Sequence, residues 1–242
     1  MFSKQLLADV TARAQDKVKQ GVFRDAAAAE AEIAAFGQLM AQKYGAIIAR
    51  APTKSEERAS QKVASDYGGD WHQIKDVARI TIIVPTLEAV RGVLIELRRY
   101  FQASRGGSVM QVKDVSGAMD PCGYSSTTVF VRTKTGRPAE IQINIPQIIY
   151  AKQSAMSFIK VCGPKTFLKI KTAYQMEGGL GHALYEIYRV APMTPAGQQA
   201  ATISRSYYDY FRNPPGDIEG RKSLLSAIAA IKSTHAHVFN HH

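Results

Sequence analysis

Apolar residues recur at helical spacing through the first fifty positions, at Leu6, Leu7 and Val10 and again at Ile33, Phe36 and Met40. The pattern predicts two helices broken near Gly21. Residues 54–66, K-S-E-E-R-A-S-Q-K-V-A-S-D, open on an S-x-x-R variant of a capping box and predict a short helix, which the turn Y-G-G-D-W then ends. Residues 78–84, A-R-I-T-I-I-V, are β-branched, stop at Pro85 and read as a buried strand. Thr86 then caps an amphipathic helix, L-E-A-V-R-G-V-L-I-E-L-R-R-Y-F. Short strands are expected at 109–115, 125–132 and 138–145, the last two joined by the hairpin turn T-K-T-G-R. From 146 onward the chain reads as helical, with breaks at Gly163-Pro164, Gly178-Gly179 and Pro214-Pro215.

Within the last strand, A-E-I-Q-I-N-I alternates strictly. Ile141, Ile143 and Ile145 share one face, and Glu140, Gln142 and Asn144 the other. A carboxylate and two amides in a row suit a metal or a sugar better than they suit plain solvation. The order of elements predicts an α+β fold, a small mixed sheet covered by helices. Along the chain it divides into N-terminal helices (1–50), a sheet-bearing domain (51–190) and a C-terminal helical extension (191–242).

A chain of 242 residues, 45% of them hydrophobic, can bury a substantial core. No apolar run nears the roughly 18 residues that cross a bilayer, and no signal-peptide pattern opens the chain, so no membrane partner is expected. Cys122 and Cys162 are too few for a disulfide framework, which favours a reducing, cytoplasmic place of action. The net charge is +11, and residues 101–242 carry 16 Lys and Arg against 8 Asp and Glu. That surplus favours an acidic partner such as a nucleotide or RNA over a neutral one.

Four polar constellations stand out. Lys54, Arg58 and Lys62 recur every four residues and would share one helix face, a shape suited to a run of phosphates or to an ordinary solvated surface. Asp76 and Arg79 flank the start of the first buried strand, where an acidic residue can hold Mg²⁺. The loop K-D-V-S-G-A-M-D-P-C-G-Y-S-S, from Lys113 to Ser126, ends on Tyr124, which can stack on a base. Glu140 is the fourth, a metal ligand or general base.

In this order the motifs resemble the synthetase domain of the RelA/SpoT family, the enzymes that make (p)ppGpp. The resemblance rests on the basic segment Lys54 to Lys62, D-V-A-R-I-T-I-I-V, P-C-G-Y-S-S, A-E-I-Q-I-N and G-H-A-L-Y-E-I-Y-R, and covers roughly residues 50 to 190. It implies a nucleotidyltransferase-like fold and a Mg²⁺-dependent transfer of the β,γ-pyrophosphate of ATP to the 3′-hydroxyl of an acceptor nucleotide. Asp76 and Glu140 would hold the metal, with Gln142 beside them and Glu140 able to draw the hydroxyl proton. Lys54, Arg58, Lys62 and Arg79 would bind phosphates. Lys113, Tyr124, Ser125, Asn144 and His182 would bind the acceptor, with Tyr124 stacked on its base.

The departures from the family pattern gather around the acceptor. Asp120 stands where a lysine is usual, Thr128 where a histidine is, and Asn144 where an arginine is, while Arg79 follows Ala78 directly and Thr81 takes the later position. Guanine nucleotides, adenine nucleotides and the 3′ end of a tRNA are therefore all open as acceptors. Small relatives include growth-arresting toxins, some paired with an antidote or immunity protein and some delivered into a target cell. An ADP-ribosyltransferase-type toxin, using NAD and a catalytic Glu, is the alternative of a different class. An inactive nucleotide-binding module is disfavoured by the presence of both Asp76 and Glu140.

Overall fold

A computed structural model describes residues 4–50, 53–102, 106–115, 117–213 and 216–239. The chain divides into two compact units assembled from alternating segments: Met1–Ile82, Glu88–Lys113 and Thr128–Ile143 form the first, and Ile83–Leu87, Asp114–Thr127 and Asn144–His242 the second. The α+β expectation holds. The five strands form one sheet in the order β1-β2-β5-β4-β3, where β1 is Ile47–Arg50, β2 Ala78–Ile83, β3 Ser108–Val115, β4 Ser126–Arg132 and β5 Pro138–Asn144.

The first unit opens on α1, a single helix from Lys4 to Tyr44. It buries Val22, Ala26, Ala29, Ile33, Phe36 and Met40 in steps of three and four, an apolar stripe that runs on without interruption. The expected break at Gly21 does not occur. A lone glycine costs a helix about 1 kcal/mol relative to alanine, too little to end one whose stripe continues on both sides. The Arg137 guanidinium lies over Gly21, where any side chain would collide with it, and Arg137 Nε donates to Asp25 Oδ2 at 3.0 Å.

Helix α2, Glu56–Tyr67, starts after Ser55, whose hydroxyl accepts from the Arg58 amide, and stops at Gly68 in the left-handed region. Its Ala59 and Val63 pack with Val22 and Ala26 of α1 and with Trp71, Ile74 and Val77 into one buried cluster. Trp71 belongs to a short 3-10 helix, η1, Trp71–Gln73. This cluster fixes α2 against the start of β2. Strand β1, four residues long, carries no periodic pattern long enough to announce it. In β5, Ala139, Ile141 and Ile143 are buried while Pro138, Glu140 and Gln142 are half-buried, as the alternation predicts. A turn joins β4 to β5, closed by Thr133 N donating to Arg137 O at 2.9 Å. Helix α3, Leu87–Tyr100, follows β2.

The second unit is mainly helical: α4 Pro146–Lys152, α5 Ala155–Cys162, α6 Pro164–Tyr174, α7 Leu180–Val190, α8 Pro195–Arg212, α9 Ile218–Thr234 and α10 Ala236–Phe239. The expected breaks at Gly163-Pro164 and Gly178-Gly179 both separate helices; Pro214-Pro215 lies outside the described residues. Tyr150, Phe158, Phe167, Tyr174, Tyr207 and Phe211 form an aromatic core, with Tyr174 and Phe211 rings 4.9 Å apart. The hydroxyls of Tyr150 and Tyr207 donate to the carbonyls of Met176 and Glu177 at 3.0 and 2.6 Å, so burying them leaves no donor unpaired. Gly181 of α7 faces the Tyr208 ring of α8, and only a residue without a side chain allows that approach.

Candidate active site

In the first unit the polar residues converge on Asp76. It is buried just before β2, and its Oδ2 accepts from two ammonium groups, Lys54 Nζ and Lys62 Nζ, the latter at 2.8 Å. Burial works to raise the Asp76 carboxyl, but its bonds to Lys54 and Lys62 prevail and hold it below the usual range. Burial likewise works to lower Lys62, and the bond to Asp76, with smaller pulls from Asp76, Tyr67 and Glu140, leaves it raised. Lys54 does not sit on the helix with Arg58 and Lys62. It precedes the Ser55 cap, and its amide donates to Val77 O at 3.1 Å, which docks it directly beside Asp76. The shared helical face is thus corrected to a clamp from two directions, with Arg58 exposed on α2.

Two buried side-chain atoms near the start of β2 have no hydrogen-bond partner among the described residues: Asp76 Oδ1 and Arg79 Nε. Native structures rarely leave such atoms unpaired, so each is a place where a bound group of opposite polarity would fit. On β5, Glu140 Oε1 accepts from Gln142 Nε2 at 2.7 Å, which holds the carboxylate in place. Among the described residues no cluster of three or more His, Cys, Asp and Glu side chains could hold a metal. Asp76 Oδ1, without a partner among the described residues, nonetheless suits a hard cation completed by water and phosphate oxygens, and Lys62 lies near enough to Asp76 and Glu140 to interact with both carboxylates.

In the second unit a different set gathers around Tyr124. Asp120 Oδ1 accepts from the amides of Cys122 at 2.8 Å and Tyr124 at 3.2 Å, folding the loop back on itself. Gly123 takes φ +79°, and a Cβ there would lie 2.6 Å from the Arg205 backbone, so the position tolerates only glycine. Two arginines of α8, seven residues apart and therefore on one face, fasten the loop. Arg205 Nη2 donates to Pro121 O at 2.9 Å, while Arg212 donates to Gly123 O and, through Nε, to Ser125 Oγ at 3.1 Å. The Tyr124 hydroxyl accepts from Asn144 Nδ2 at 3.1 Å, and its ring meets Tyr208 edge-on at 5.6 Å. Lys152 Nζ lies 4.4 Å from the centre of the Tyr124 ring. The result is a pocket of about 340 Å³ lined by Asp120, Cys122, Tyr124, Lys152, His182 and Tyr208, among others.

The chain is similar to the (p)ppApp synthetase toxin Tas1 of Pseudomonas aeruginosa strain UCBPP-PA14, 43% identical over 197 residues. That match spans 81% of this chain and 43% of Tas1, so this chain corresponds to less than half of the relative's length. A crystal structure of the type VI effector Tas1 with its immunity protein aligns with a TM-score of 0.70 at 42% identity, covering 83% of this chain and 97% of that one. The chain belongs to the RelA/SpoT-like synthetase family. The crystal structure of small alarmone synthetase 1 from Bacillus subtilis bound to its product pppGpp aligns at 16% identity, over 79% of this chain and 92% of that one, with a TM-score of 0.42. No protein-family model matches the chain. The relationship favours the RelA/SpoT-like reading over the NAD-using and tRNA-directed alternatives.

Against this RelA/SpoT-like frame, Lys54, Lys62, Asp76, Arg79, Glu140 and Gln142 all fall in the first unit. Tyr124, Ser125, Asn144 and His182 fall in the second, and three of them are joined directly, since Asn144 Nδ2 reaches both Tyr124 Oη and, at 3.3 Å, Ser125 O. His182 lies on α7 with its Nε2 3.8 Å from Glu186 and lines the Tyr124 pocket. Lys113, expected with the acceptor residues, lies on β3 in the first unit, 5.5 Å from the Phe130 ring centre. Sequence reasoning passed over Lys152, Tyr208, Arg205 and Arg212. The seven-residue spacing of the two arginines was visible, but nothing in the chain told which loop they would hold.

Proposed function

We propose that this chain transfers the β,γ-pyrophosphate of ATP to the 3′-hydroxyl of a purine nucleotide, releasing AMP, and that an adenine nucleotide is its acceptor, giving a (p)ppApp-type product. The observation that carries the proposal is the Asp76 carboxylate, whose Oδ2 is held by Lys54 and Lys62 while its buried Oδ1 has no hydrogen-bond partner among the described residues. The 43% identity to a (p)ppApp synthetase toxin supports the same reaction. Asp76 and Glu140 would hold Mg²⁺, which would supply positive charge against the phosphates. Lys54, Lys62, Arg58 and Arg79 bind the donor phosphates and stabilise the charge that spreads over them in the transition state, the main source of rate in such transfers. Glu140, steadied by Gln142, takes the proton of the attacking hydroxyl. Tyr124 stacks on the acceptor base, and Ser125, Asn144 and His182 complete that end.

We further propose that the activity is that of a growth-arresting toxin acting in the cytoplasm of a target cell and restrained by an immunity protein. Support comes from Tas1, a type VI effector crystallised with its own. ATP labelled at the β and γ phosphates tests the chemistry: the label should move to the 3′ position of ADP or ATP as unlabelled AMP appears. Release of ADP, or consumption of NAD with ATP untouched, would refute the proposal.

A further inference from the structure

The Tyr124 pocket is lined by one carboxylate, Asp120. Asp120 Oδ1 is committed to the amides of Cys122 and Tyr124, which pins the carboxylate in place. Its Oδ2 makes no hydrogen bond or ion pair among the described residues. Lys152 Nζ lies over the Tyr124 ring, 4.4 Å from its centre, so a base that stacks on that face moves the ammonium off the ring to the base edge.

A purine offers such a pocket two choices. Guanine presents two adjacent donors, N1–H and the 2-amino group, which a carboxylate satisfies best with both oxygens, and it places a carbonyl oxygen at position 6. Adenine presents one amino group at position 6, flanked by ring nitrogens that accept hydrogen bonds. Asp120 has one oxygen to give. It satisfies a single amino group, while the adjacent ring nitrogen takes the Lys152 ammonium. Guanine in the same pose would set its 6-carbonyl against a carboxylate, two acceptors with no proton between them, and discrimination of this kind is strong because it leaves polar groups unpaired.

We infer that Asp120 reads the acceptor base in this pocket and selects the 6-amino group, so that adenine nucleotides are used in preference to guanine nucleotides. The inference rests on the pyrophosphotransfer reading and deepens it by naming the residue that sets the acceptor.

The test compares acceptors that differ only at position 6: ADP, purine riboside diphosphate, which lacks the amino group, and IDP, which carries a carbonyl. With the wild-type protein, removing the amino group should lower kcat/KM by about 10- to 100-fold, the worth of a hydrogen bond to a charged group. Asp120→Asn keeps the Oδ1 that folds the loop and replaces the second oxygen by an amide donor. In this variant the penalty for purine riboside diphosphate should shrink to within about threefold, and IDP should gain on ADP by at least about tenfold. Asp120→Ser, whose hydroxyl can still accept from the loop amides, provides an independent second variant with the same expected loss of discrimination. A wild-type protein that treats ADP and purine riboside diphosphate alike, or a penalty that persists in both variants, overturns the inference. Wild type that consumes no ATP with any acceptor removes the proposed reaction itself, whereas turnover with unchanged base preference in the variants removes only the role of Asp120.

Discussion

Asp76→Asn separates the ion-pair clamp seen in the structure from the proposed metal-holding role of the same carboxylate. The side chains of Asp76 and Lys54 are each 10% exposed and that of Lys62 30%, so the substitution leaves two ammonium groups facing a neutral amide in a largely dry setting. Breaking a buried ion pair by removing one partner costs about 3–5 kcal/mol. Asparagine keeps one oxygen that still accepts hydrogen bonds, and Lys62 retains some water, which brings the expected loss to about 2–4 kcal/mol. For a chain of this size that is a fall in melting temperature of roughly 5–15 °C. Removing one stranded cation as well, in Asp76→Asn with Lys54→Met, should restore part of the lost stability while turnover stays absent. The pH dependence carries the same signature. The Asp76 carboxyl is held below its ordinary 3.8, so its contribution is complete above that value and is lost as pH falls through the lower folded one. Lys62 is raised above 10.5, so its share is complete below that value and is lost only as pH rises through the higher folded one. Wild type should therefore lose stability below about pH 4 more steeply than Asp76→Asn, as followed by circular dichroism during thermal melts across pH. An Asn variant that melts with wild type at neutral pH and parallels it in acid would refute the clamp.

Arg79→Met replaces a buried, unpartnered donor with an apolar chain of similar length, so melting should hold or rise slightly while the KM for ATP climbs; a destabilised variant with normal ATP use would show that Arg79 is structural. Tyr124→Phe should change acceptor use less than about threefold, because Asn144 Nδ2 keeps Ser125 O as a partner, whereas Tyr124→Ala should cost about 1–3 kcal/mol of acceptor binding. A Phe variant as impaired as the Ala variant would assign the role to the hydroxyl. Glu140→Gln keeps the shape and the bond to Gln142, so it should melt as wild type does with activity reduced at least about a hundredfold; full turnover would remove Glu140 from the chemistry.

What could be read in the chain was what local periodicity encodes. The alternation of β5 announced its buried isoleucines and its polar row, and the β-branched run before Pro85 announced β2. The position of Asp76 was legible too, but its partnership was not. Whether Lys54 belongs to the helix depends on where the cap falls, and Ser55 puts it outside, within reach of a carboxylate 22 residues on. Gly21 misled because a glycine chosen for close approach looks, in sequence, like a glycine chosen to end a helix. Asp120 was visible only as a departure from a pattern. Its work on the loop amides and in the pocket emerges once Pro121 to Tyr124 fold around it.

The two polar centres are built on opposite plans, and the difference follows from what each would bind. Around Asp76 two ammonium groups share one carboxylate oxygen, and the other oxygen has no hydrogen-bond partner among the described residues. Such an arrangement holds the carboxylate by its ion pairs, yet it carries an unpaired-atom penalty that a bound cation would relieve. Around Tyr124 almost nothing is left loose. Asp120 from within the loop, Arg205 and Arg212 from α8, and Asn144 from the end of β5 each fix a different part of five residues. Loops that bind ligands usually lose entropy when they close on them, and each ordered side chain costs about 0.5–1.5 kcal/mol of affinity. Here that ordering is met in folding, so a base that stacks on the Tyr124 ring keeps more of its stacking energy as affinity. The first centre is thus tuned by charge and the second by rigidity, and a substitution at one should be read by stability and ATP use, at the other by the choice of acceptor.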